Sequence, residues 1–448
     1  MEASKMHYCY IFPDLTEKYE ELKVIDNLNS KEYIVKVRVN DAQFANTSSD
    51  YVSLLADLVD LATSVYVSDW ILPRKIRETF DVHVVLPLRN PNLFMEPSIY
   101  EELTNLLRYY TDDNWDFEFV KRKKKPRGVE EKRKLLWPSE SPDVALWSGG
   151  LDSLAGLVNR IQNNNRPQFT LFGTGGNDQI LGKQNEIIRD VRFKFAAQLN
   201  LIQVPLDIKY PSVAPPTNDI FRARGFTFKL LGAVCALLEG QNSLYIYENG
   251  FGAFNLPFTP AENGISHTRS VHPIALIKMG KFISKIFNGP FRFQNPFLFS
   301  TKGEMCLDLI DYSDLAFETI SCDGRFRQTD QPSQCGYCSS CLLRRVSLLV
   351  ALGKDYTEYV VTNGNLSLAL VERGHFEAMN YQVGKLIECF EAQNPWESFL
   401  SLYPNMRNFA RQIALEQEVS IASIQHRILR LYRTYTEEWM KTCTTIRV

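Results

Sequence analysis

The chain has 448 residues, 45% of them hydrophobic and 23% charged, with a formal net charge of −2 at pH 7. This length suffices for two or three domains with a large core, and the composition is typical of a soluble globular protein. The near-neutral charge argues against a globally basic nucleic-acid-binding protein, and no apolar run approaches the length of a membrane span. The first residues, Met-Glu-Ala-Ser-Lys, lack the apolar core of a secretory signal, so a cytoplasmic protein is expected.

Residues 1–120 are predicted to form a separate α+β domain. Strands are predicted over 8–12, 33–39, 81–88 and 115–120, and helices over 51–70 and 99–110. The first helix is predicted to be amphipathic, with one apolar face formed by Leu54, Leu55, Leu58, Leu61 and Ala62. His83 is interpreted as a packed or edge histidine rather than a ligand. The domain contains no catalytic constellation, so a docking or scaffold role is favoured.

Residues 121–140 are predicted to form a basic linker. The run from 121 to 134 is rich in lysine and arginine, and Pro126 and Gly128 interrupt any helix. We interpret the run as a solvated connection between domains. The alternative is a patch for nucleic acid or an acidic partner, but no aromatic residues interleave it for base stacking.

The central segment, 141–354, opens with a buried strand over 144–147 and the turn Ser148-Gly149-Gly150-Leu151-Asp152-Ser153. A helix follows, because Leu154, Leu157, Val158 and Ile161 recur at helical spacing. Such a turn is typical of an anion site. Glycine allows close approach of the backbone to a phosphate, and the free N–H groups of the first helical turn point at it. The two serine hydroxyls add donors.

Asp152 would repel a bare phosphate, so we interpret it as a ligand for the Mg²⁺ that accompanies a nucleotide. The turn lacks the Gly-Lys-Ser/Thr of the Walker P-loop. The alternative interpretation is a plain glycine-rich turn between a strand and a helix.

From residue 144 onwards strands and helices alternate, which predicts a parallel sheet with helices on both faces. A second strand over 169–172 ends in a loop that begins at Gly173. Ligands bind at the carboxyl ends of such strands, so this loop is expected beside the first turn. A helix over 184–199 and a strand over 202–206 follow. The proline-rich segment after them is interpreted as a lid.

Two arginines, Arg222 and Arg224, lie at the start of a helix predicted to run to residue 238. The helix dipole disfavours cations at this end, so a phosphate or carboxylate partner is indicated. Arg224 is the better candidate, and a surface salt bridge is the alternative. A strand over 244–247 then ends in 248–255, where polar groups, glycines and aromatic rings suit a planar heterocycle. His267 and His272 stay unassigned.

Four of the nine cysteines lie close together, with the spacing C-x12-C-x2-C-x2-C. They are Cys322, Cys335, Cys338 and Cys341. Four thiolates form a closed tetrahedral zinc site with no open position for chemistry, so a structural Zn²⁺ is predicted. A reducing compartment favours metal over disulfides, and cysteines that cluster without a metal are the alternative.

Together these motifs resemble the 7-cyano-7-deazaguanine synthase (QueC) family of zinc-containing ATP pyrophosphatases. The resemblance runs from Val144 to Arg345. The turn at 148–153 looks like the family's Ser-Gly-Gly-x-Asp-Ser, and 295–304 looks like its Thr-Pro-Leu…Lys-x-Glu segment. Residues 318–322 and 335–344 look like its Glu-Thr-x-Ser-Cys and Cys-Gly-x-Cys-x-x-Cys-x-x-Arg.

The resemblance implies a PP-loop fold, the adenine-nucleotide α-hydrolase type, and an ATP-dependent ligase. It implies that ATP is bound by Ser148, Gly149, Gly150, Leu151, Asp152, Ser153 and Gly173. Asp152 and Arg224 are the implied catalytic residues, and Glu248, Asn249, Phe251 and Lys302 the implied substrate contacts. In the family, a 7-carboxy-7-deazaguanine carboxylate attacks the α-phosphate of ATP, and ammonia displaces AMP to give an amide. A second ATP then converts the amide to a nitrile.

The chain departs from the family pattern in two places. The family's Gly-Arg-Asn has become Ala223-Arg224-Gly225, and its base-reading segment is replaced by residues 248–255. Residues 355–448 add a predicted helical extension, which either extends the core or docks a partner. Long family members of this kind occur in anti-phage defence systems of the Qat and cyclic-oligonucleotide signalling types. There the resemblance implies that an amine of a partner protein replaces ammonia.

The expected function is therefore ATP-dependent formation of an amide on a 7-deazaguanine carboxylate, with a protein partner held by the N- and C-terminal extensions. No membrane partner is expected, and nucleic acid is not favoured. The alternatives are a nitrile-forming synthase, a tRNA-modifying PP-loop enzyme that uses the basic run, and an inactive nucleotide-binding scaffold.

Overall fold

The computed structural model describes residues 6–46, 52–74, 78–123, 128–130, 142–163, 168–175, 178–195, 197–218, 221–262, 269–322, 334–361 and 370–447. Over these ranges the chain is an α/β protein with one ten-stranded sheet. The strands are β1 (Tyr8–Ile11), β2 (Glu20–Asp26), β3 (Lys31–Val39), β4 (Asp81–Leu88), β5 (Asn114–Lys121), β6 (Asp143–Leu146), β7 (Gln168–Gly175), β8 (Gln198–Lys209), β9 (Ser243–Tyr245) and β10 (Arg292–Gln294).

The helices of the first half are α1 (Val52–Trp70), α2 (Pro91–Phe94), α3 (Pro97–Thr111), α4 (Leu151–Asn163), α5 (Asp178–Lys194), α6 (Arg224–Leu238) and α7 (Gly250–Phe254). Those of the second half are α8 (Pro273–Phe287), α9 (Lys302–Cys306), α10 (Ser313–Glu318), α11 (Ser339–Leu352), α12 (Leu370–Glu391), α13 (Pro395–Leu402), α14 (Met406–Gln417) and α15 (Ile421–Arg447). None of these helices is both long and apolar enough to cross a membrane.

The sheet has the order β10-β9-β6-β7-β8-β3-β2-β1-β4-β5, and six of its nine described pairings are parallel. The five strands from β10 to β8 are all parallel to their neighbours, which confirms the sheet predicted from the alternation after residue 144. Adjacent residues of one strand enter different cores. Val144 packs with α6 and α8, whereas Ala145 packs with α4 and α5. The predicted helices on both faces are therefore also confirmed.

β8 joins the N-terminal strands to the parallel strands. It is parallel to β7, and through Leu206 it pairs antiparallel with Val39 of β3. The largest core is shared as well, since it contains Val24 and Val84 together with Leu230 and Phe282. One sheet and one core thus span the N-terminal and central segments. The domain boundaries near 120, 140 and 354 stay predictions.

Helix α1 lies inside the protein, and the predicted amphipathic character is wrong. Every residue from Leu55 to Asp69 is buried, including aspartates on the side expected to face solvent. Buried carboxylates require partners. Asp60 pairs with Arg89 and with Arg122 (3.3 Å), and Asp69 pairs with Arg74 (2.8 Å). The polar stripe of α1 is therefore an internal layer of ion pairs between helix and sheet.

Three other boundaries and elements differ from the sequence prediction. Leu199 lies in β8, because the preceding helix ends at Lys194. The charged strand β2, which the sequence pattern did not identify, buries Leu22 and Val24 on one face. Lys121 ends β5, and Arg122 is only 8% exposed, so the first two residues of the predicted linker pack with the sheet. Residues 124–127 and 131–140 of that predicted linker lie outside the described ranges.

The predicted helical extension is confirmed by α12 to α15. These helices enclose a second core around the fully buried side chains of Tyr432 and Trp439. α15 is fastened to the start of α9, where Glu438 Oε1 accepts a hydrogen bond from Thr301 Oγ1 at 2.6 Å. The apolar faces of the extension are thus used largely within the chain, as a continuation of the core.

Candidate functional site

A cavity of about 760 Å³ lies at the carboxyl ends of β6, β7 and β9. This is the edge of a parallel sheet at which ligands bind. The cavity brings together side chains from α1, the turn after β6, α5, α6, the segment after β9, α9 and α11. Its lining includes the cations Lys183, Arg224 and Lys302 and the acids Asp152 and Glu248.

The turn Ser148–Ser153 forms one end of this cavity, as predicted. Gly149 has φ +74°, in the left-handed region that favours glycine. A Cβ on Gly150 would lie 3.3 Å from the carbonyl oxygen of Ile320. The Ser148 and Ser153 hydroxyls are 2.8 Å apart, and the Gly150 N–H donates to Ser148 Oγ at 3.1 Å.

Helix α4 begins at Leu151, so the turn and the first helical N–H groups lie at the mouth of the sheet. The Leu151 side chain itself is fully buried in the core, and only its backbone is available to a ligand. Small residues, hydroxyls and a helix N-terminus in this order are suited to holding an anion.

Asp152 is held by two side chains from distant parts of the chain. Its Oδ2 is 2.7 Å from Lys302 Nζ, and its Oδ1 accepts a hydrogen bond from Asn249 Nδ2 at 2.9 Å. Burial alone would lower the pKa of Lys302, but the carboxylates of Asp152 and Glu248 outweigh this effect and raise it. This shift favours the charged form of Lys302, which lies beside Asp152 in the cavity.

Lys302 is positioned by the helix that it opens. Thr301 caps α9: its Oγ1 accepts the Glu304 N–H at 3.1 Å, and the Glu304 carboxylate accepts the Thr301 N–H at 2.9 Å. Glu438 of α15 holds the Thr301 hydroxyl from the other side. The C-terminal extension thus fixes the first turn that presents the Lys302 ammonium.

Gly173 lies in β7 and faces Gln184 rather than the cavity. A Cβ at this position would lie 2.2 Å from Gln184 Oε1, which Gln203 Nε2 holds at 2.9 Å. The reason for glycine here is therefore close packing. Thr174 and Gly175, the next residues of the strand, line the cavity instead. Sequence reasoning missed Gln184, which also packs against Gly149.

The two arginines before α6 have different surroundings. Arg222 is 5% exposed and donates to the Thr111 carbonyl oxygen at 2.7 Å, so it joins α6 to α3. Arg224 lines the cavity, and its guanidinium carbon lies 4.9 Å from the centre of the Phe228 ring. Arg224 forms no ion pair with any residue in the described ranges, which supports the prediction that it meets an external anion.

The wall near Arg224 is aromatic and was not predicted. Tyr66 and Trp70 come from the last turns of α1, and Phe221 and Phe228 flank the start of α6. The ring centres of Trp70 and Phe221 are 4.2 Å apart, and those of Tyr66 and Phe221 are 5.8 Å apart. Tyr66 and Trp70 lie in the segment for which the sequence indicated no site.

The segment 248–255 contributes polar residues to the cavity lining, but the ring of Phe251 is not part of that lining. Asn249 caps the short helix α7, and its Oδ1 accepts the Gly252 N–H at 2.9 Å. Glu248, Asn249 and Gly252 line the cavity. Phe251 is 8% exposed, and its ring centre lies 4.3 Å from that of Tyr435 in α15. The structure does not place Phe251 in the cavity, because its ring packs in the second core.

The four cysteines come together as predicted. Cys322, Cys335, Cys338 and Cys341 are buried, and their sulfurs lie within 4.8 Å of one another. The sulfurs of Cys335 and Cys341 are 3.8 Å apart, close to the edge of about 3.8 Å that a tetrahedron with zinc–sulfur bonds of about 2.3 Å requires. The group is thus able to hold a metal ion such as zinc.

Backbone N–H groups support these sulfurs. The amide of Cys338 donates to Cys335 Sγ at 3.3 Å, and that of Cys341 donates to Cys338 Sγ at 3.4 Å. Such donors stabilise thiolate over thiol, as metal binding requires. Cys322 also lines the cavity, so the cysteine cluster holds one side of it in place.

His272 has a structural role. It caps α8 by accepting the Ile274 N–H at 3.2 Å, and burial, assisted by Arg269, lowers its pKa to about 3. His83 is packed as expected, 2.7 Å from Asp116. His267 lies outside the described ranges.

Comparison with models of known protein families finds none that matches the chain, and no curated protein matches it.

Proposed function

We propose that the protein uses ATP to activate a carboxylate and joins it to an amine. What supports the proposal is the phosphate-sized turn at Ser148–Ser153, which shares one cavity with the Asp152–Lys302 pair and with Arg224. When ATP is attacked at its α-phosphorus, negative charge develops on the α-phosphoryl group and on the leaving pyrophosphate. Backbone N–H groups and two cations in this cavity are the kinds of group that stabilise such charges.

The reaction has two steps. A carboxylate oxygen attacks the α-phosphorus of ATP, an oxygen–phosphorus bond forms, and the bond to the pyrophosphate oxygen breaks. The amine nitrogen then attacks the acyl carbon, AMP leaves with the former carboxylate oxygen, and the nitrogen loses a proton. In this scheme Arg224 and Lys302 stabilise the developing charge, and the hydroxyls of Ser148 and Ser153 hold the phosphate oxygens.

ATP normally arrives with Mg²⁺, which neutralises phosphate charge when it is bound. Each oxygen of a carboxylate has two acceptor positions. Asn249 and Lys302 occupy one position on each oxygen of Asp152, so the carboxylate retains acceptors suited to such an ion. Its second role is to orient the Lys302 ammonium toward the cavity.

The proposed substrate is 7-carboxy-7-deazaguanine, and the proposed acceptor is an amine of a partner protein in an anti-phage system. Both follow from the resemblance to the QueC family over 144–345. The proposed structural metal is Zn²⁺ in the four-cysteine cluster, and the proposed compartment is the cytoplasm.

The test is release of AMP and pyrophosphate by the purified full-length chain with ATP, Mg²⁺ and an amine donor, with and without 7-carboxy-7-deazaguanine. We expect release that requires the deazaguanine and is abolished in Asp152→Asn. The surface carboxylate Asp190 provides the matched control, Asp190→Asn, which retains release. Release of ADP and phosphate, or release of AMP at the same rate with and without 7-carboxy-7-deazaguanine, would contradict the proposal.

A further inference from the structure

The cavity has an aromatic wall that phosphate chemistry does not need. Trp70, Phe221 and Phe228 are each half-buried and border the open space, and the rings of Trp70 and Phe221 contact each other. The planes of Trp70 and Phe221 are tilted by 37°, with ring centres 4.2 Å apart. Aromatic rings that pack together in a core are normally covered on all sides, whereas these rings leave part of their surface exposed to the cavity.

The wall is held in place from both ends. Trp70 Nε1 donates to Tyr210 Oη at 2.7 Å, which fixes the indole orientation. Thr227 of α6 donates to the Ala62 carbonyl oxygen of α1 at 3.1 Å, so the two helices that carry the rings are joined. The rings therefore form a preorganised surface, and ordering them costs a ligand little entropy.

Arg224 lies at the edge of this wall without a counter-charge. Its guanidinium is exposed, rests on Phe228, and forms no ion pair within the described part of the chain. By contrast, Lys183 is 2.8 Å from Glu318, and Lys302 is 2.7 Å from Asp152. Of the cavity's three described cations, Arg224 is thus the one without a carboxylate partner in the described ranges.

We propose that Tyr66, Trp70, Phe221 and Phe228 form the ring subsite for the carboxylate substrate, with Arg224 as its anion contact. The ligand class is a planar fused heteroaromatic ring that bears a carboxylate. Ring stacking supplies affinity without base-specific hydrogen bonds, and Arg224 orients the carboxylate. The inference rests on the proposed function, because it assigns the substrate to this end of the same cavity.

This assignment gives the N-terminal segment a direct role in the site. Two of its four rings, Tyr66 and Trp70, come from α1, which is inserted between the N-terminal strands and α6. A segment that served only to dock a partner would not need to present aromatic side chains to the cavity. Substrate selection in this chain therefore depends on residues that precede the phosphate-binding turn by about 80 positions.

A planar ring is also present in ATP, so the experiment measures both ligands. Binding of 7-carboxy-7-deazaguanine and of Mg²⁺–ATP to the full-length protein is measured separately by calorimetry, without turnover. Trp70→Leu and Phe228→Leu remove ring faces but keep an apolar side chain, whereas Trp70→Phe retains a ring. The control is Phe193→Leu, because Phe193 is 92% exposed and does not line the cavity.

We expect Trp70→Leu and Phe228→Leu each to weaken binding of the deazaguanine carboxylate by roughly 2- to 10-fold, with ATP binding unchanged. Trp70→Phe restores most of the affinity, and Phe193→Leu has no effect. Arg224→Gln weakens binding of the carboxylate but not of 7-deazaguanine, which lacks it. Thermal melting of each variant separates lost binding from lost folding.

Two results would overturn the inference. If the variants weaken ATP binding instead of carboxylate binding, the wall is the adenine site. If all folded variants bind the carboxylate as tightly as the wild type, or if the wild type does not bind it, the rings do not form the substrate subsite. Failure of the proposed function is distinct, since it would appear as absent AMP release by a protein whose ring binding still depends on Trp70 and Phe228.

Discussion

The four-cysteine cluster and the cavity beside it are built in different ways. The cluster takes all its sulfurs from residues 322–341, and three of its members lie within seven positions of one another. The cavity takes its lining from residue 66 to residue 343. A short segment is thus enough to specify a metal-type site, whereas the cavity exists only when seven elements pack correctly. Substitutions should therefore act locally in the first region and at a distance in the second.

The largest effect is expected from the metal site. Structural zinc contributes about 10–16 kcal/mol in small peptides, so Cys338→Ser should abolish stoichiometric zinc and lower the melting temperature strongly. Elemental analysis and thermal melting measure both quantities. Cys443→Ser lies outside the cluster and should change neither. A wild-type protein that contains no metal and is nevertheless fully stable would contradict the claim that the four-cysteine cluster needs a metal for its stability.

The next effect is expected from Lys302, which links the distant elements of the cavity. Lys302→Met removes a cation beside Asp152 and should lower AMP release by about 100- to 1,000-fold, because a charge contact of the transition state is lost. Lys285→Met, at a lysine that pairs with Glu102 outside the cavity, is the matched control. Equal activity in both variants would argue against a role for Lys302.

A smaller effect is expected from packing behind the turn at Ser148–Ser153. Gly173→Ala places a Cβ against Gln184, which Gln203 holds, and should lower the free energy of unfolding by about 1–3 kcal/mol. Gly182→Ala meets no atom within 4 Å and should raise it by about 0.5–1 kcal/mol. Urea unfolding of both variants measures the difference. If Gly173→Ala does not change the free energy of unfolding, the Gln184 side chain can move aside without cost.

The most gradual effect is a pH dependence that arises from His272. Its pKa is about 3 in the folded protein, below the ordinary value of 6.5, because the imidazole is buried near Arg269. The unfolded chain binds the extra proton as the pH falls from 6.5 toward 3, so stability falls with it by at most about 1.4 kcal/mol per pH unit. His272→Asn keeps a capping acceptor without this titration and should flatten the slope.

Exposed His426 supplies the control for that measurement. Denaturant unfolding between pH 7 and 5 should give His426→Asn the wild-type slope and His272→Asn a shallower one. Equal slopes in all three proteins would show that His272 does not titrate between the folded and unfolded states in this range.

The comparison also explains what the sequence could predict. Cys335, Cys338 and Asp152 lie in short motifs whose spacing reflects their chemistry, and the structure places them as expected. Strand β6 was predictable because residues 144–147 are a continuous apolar run, and the alternation of strands with helices after it indicated the parallel sheet. Lys302 was indicated only by the resemblance of residues 295–304 to a family segment, and the structure places it in the cavity.

The aromatic wall and the burial of α1 were not predictable in the same way. Trp70 and Phe221 meet across 150 residues, and no local pattern distinguishes such a contact from ordinary core packing. The predicted apolar face left the aspartates of α1 on the opposite side, but arginines from outside the helix pair with them there, Arg74 just after α1 and Arg89 just after β4. Phe251 was assigned to the site for its aromatic character, whereas α15 supplies the ring that covers it.

The account's central claim is that a carboxylate oxygen attacks the α-phosphorus of ATP. The most direct test is to supply 7-carboxy-7-deazaguanine labelled with oxygen-18 in its carboxylate, together with ATP, Mg²⁺ and an amine donor, and to weigh the AMP. The account predicts AMP that carries one oxygen-18 atom. AMP without the label, formed at the same rate, would show that water rather than the carboxylate attacks, and would contradict the claim.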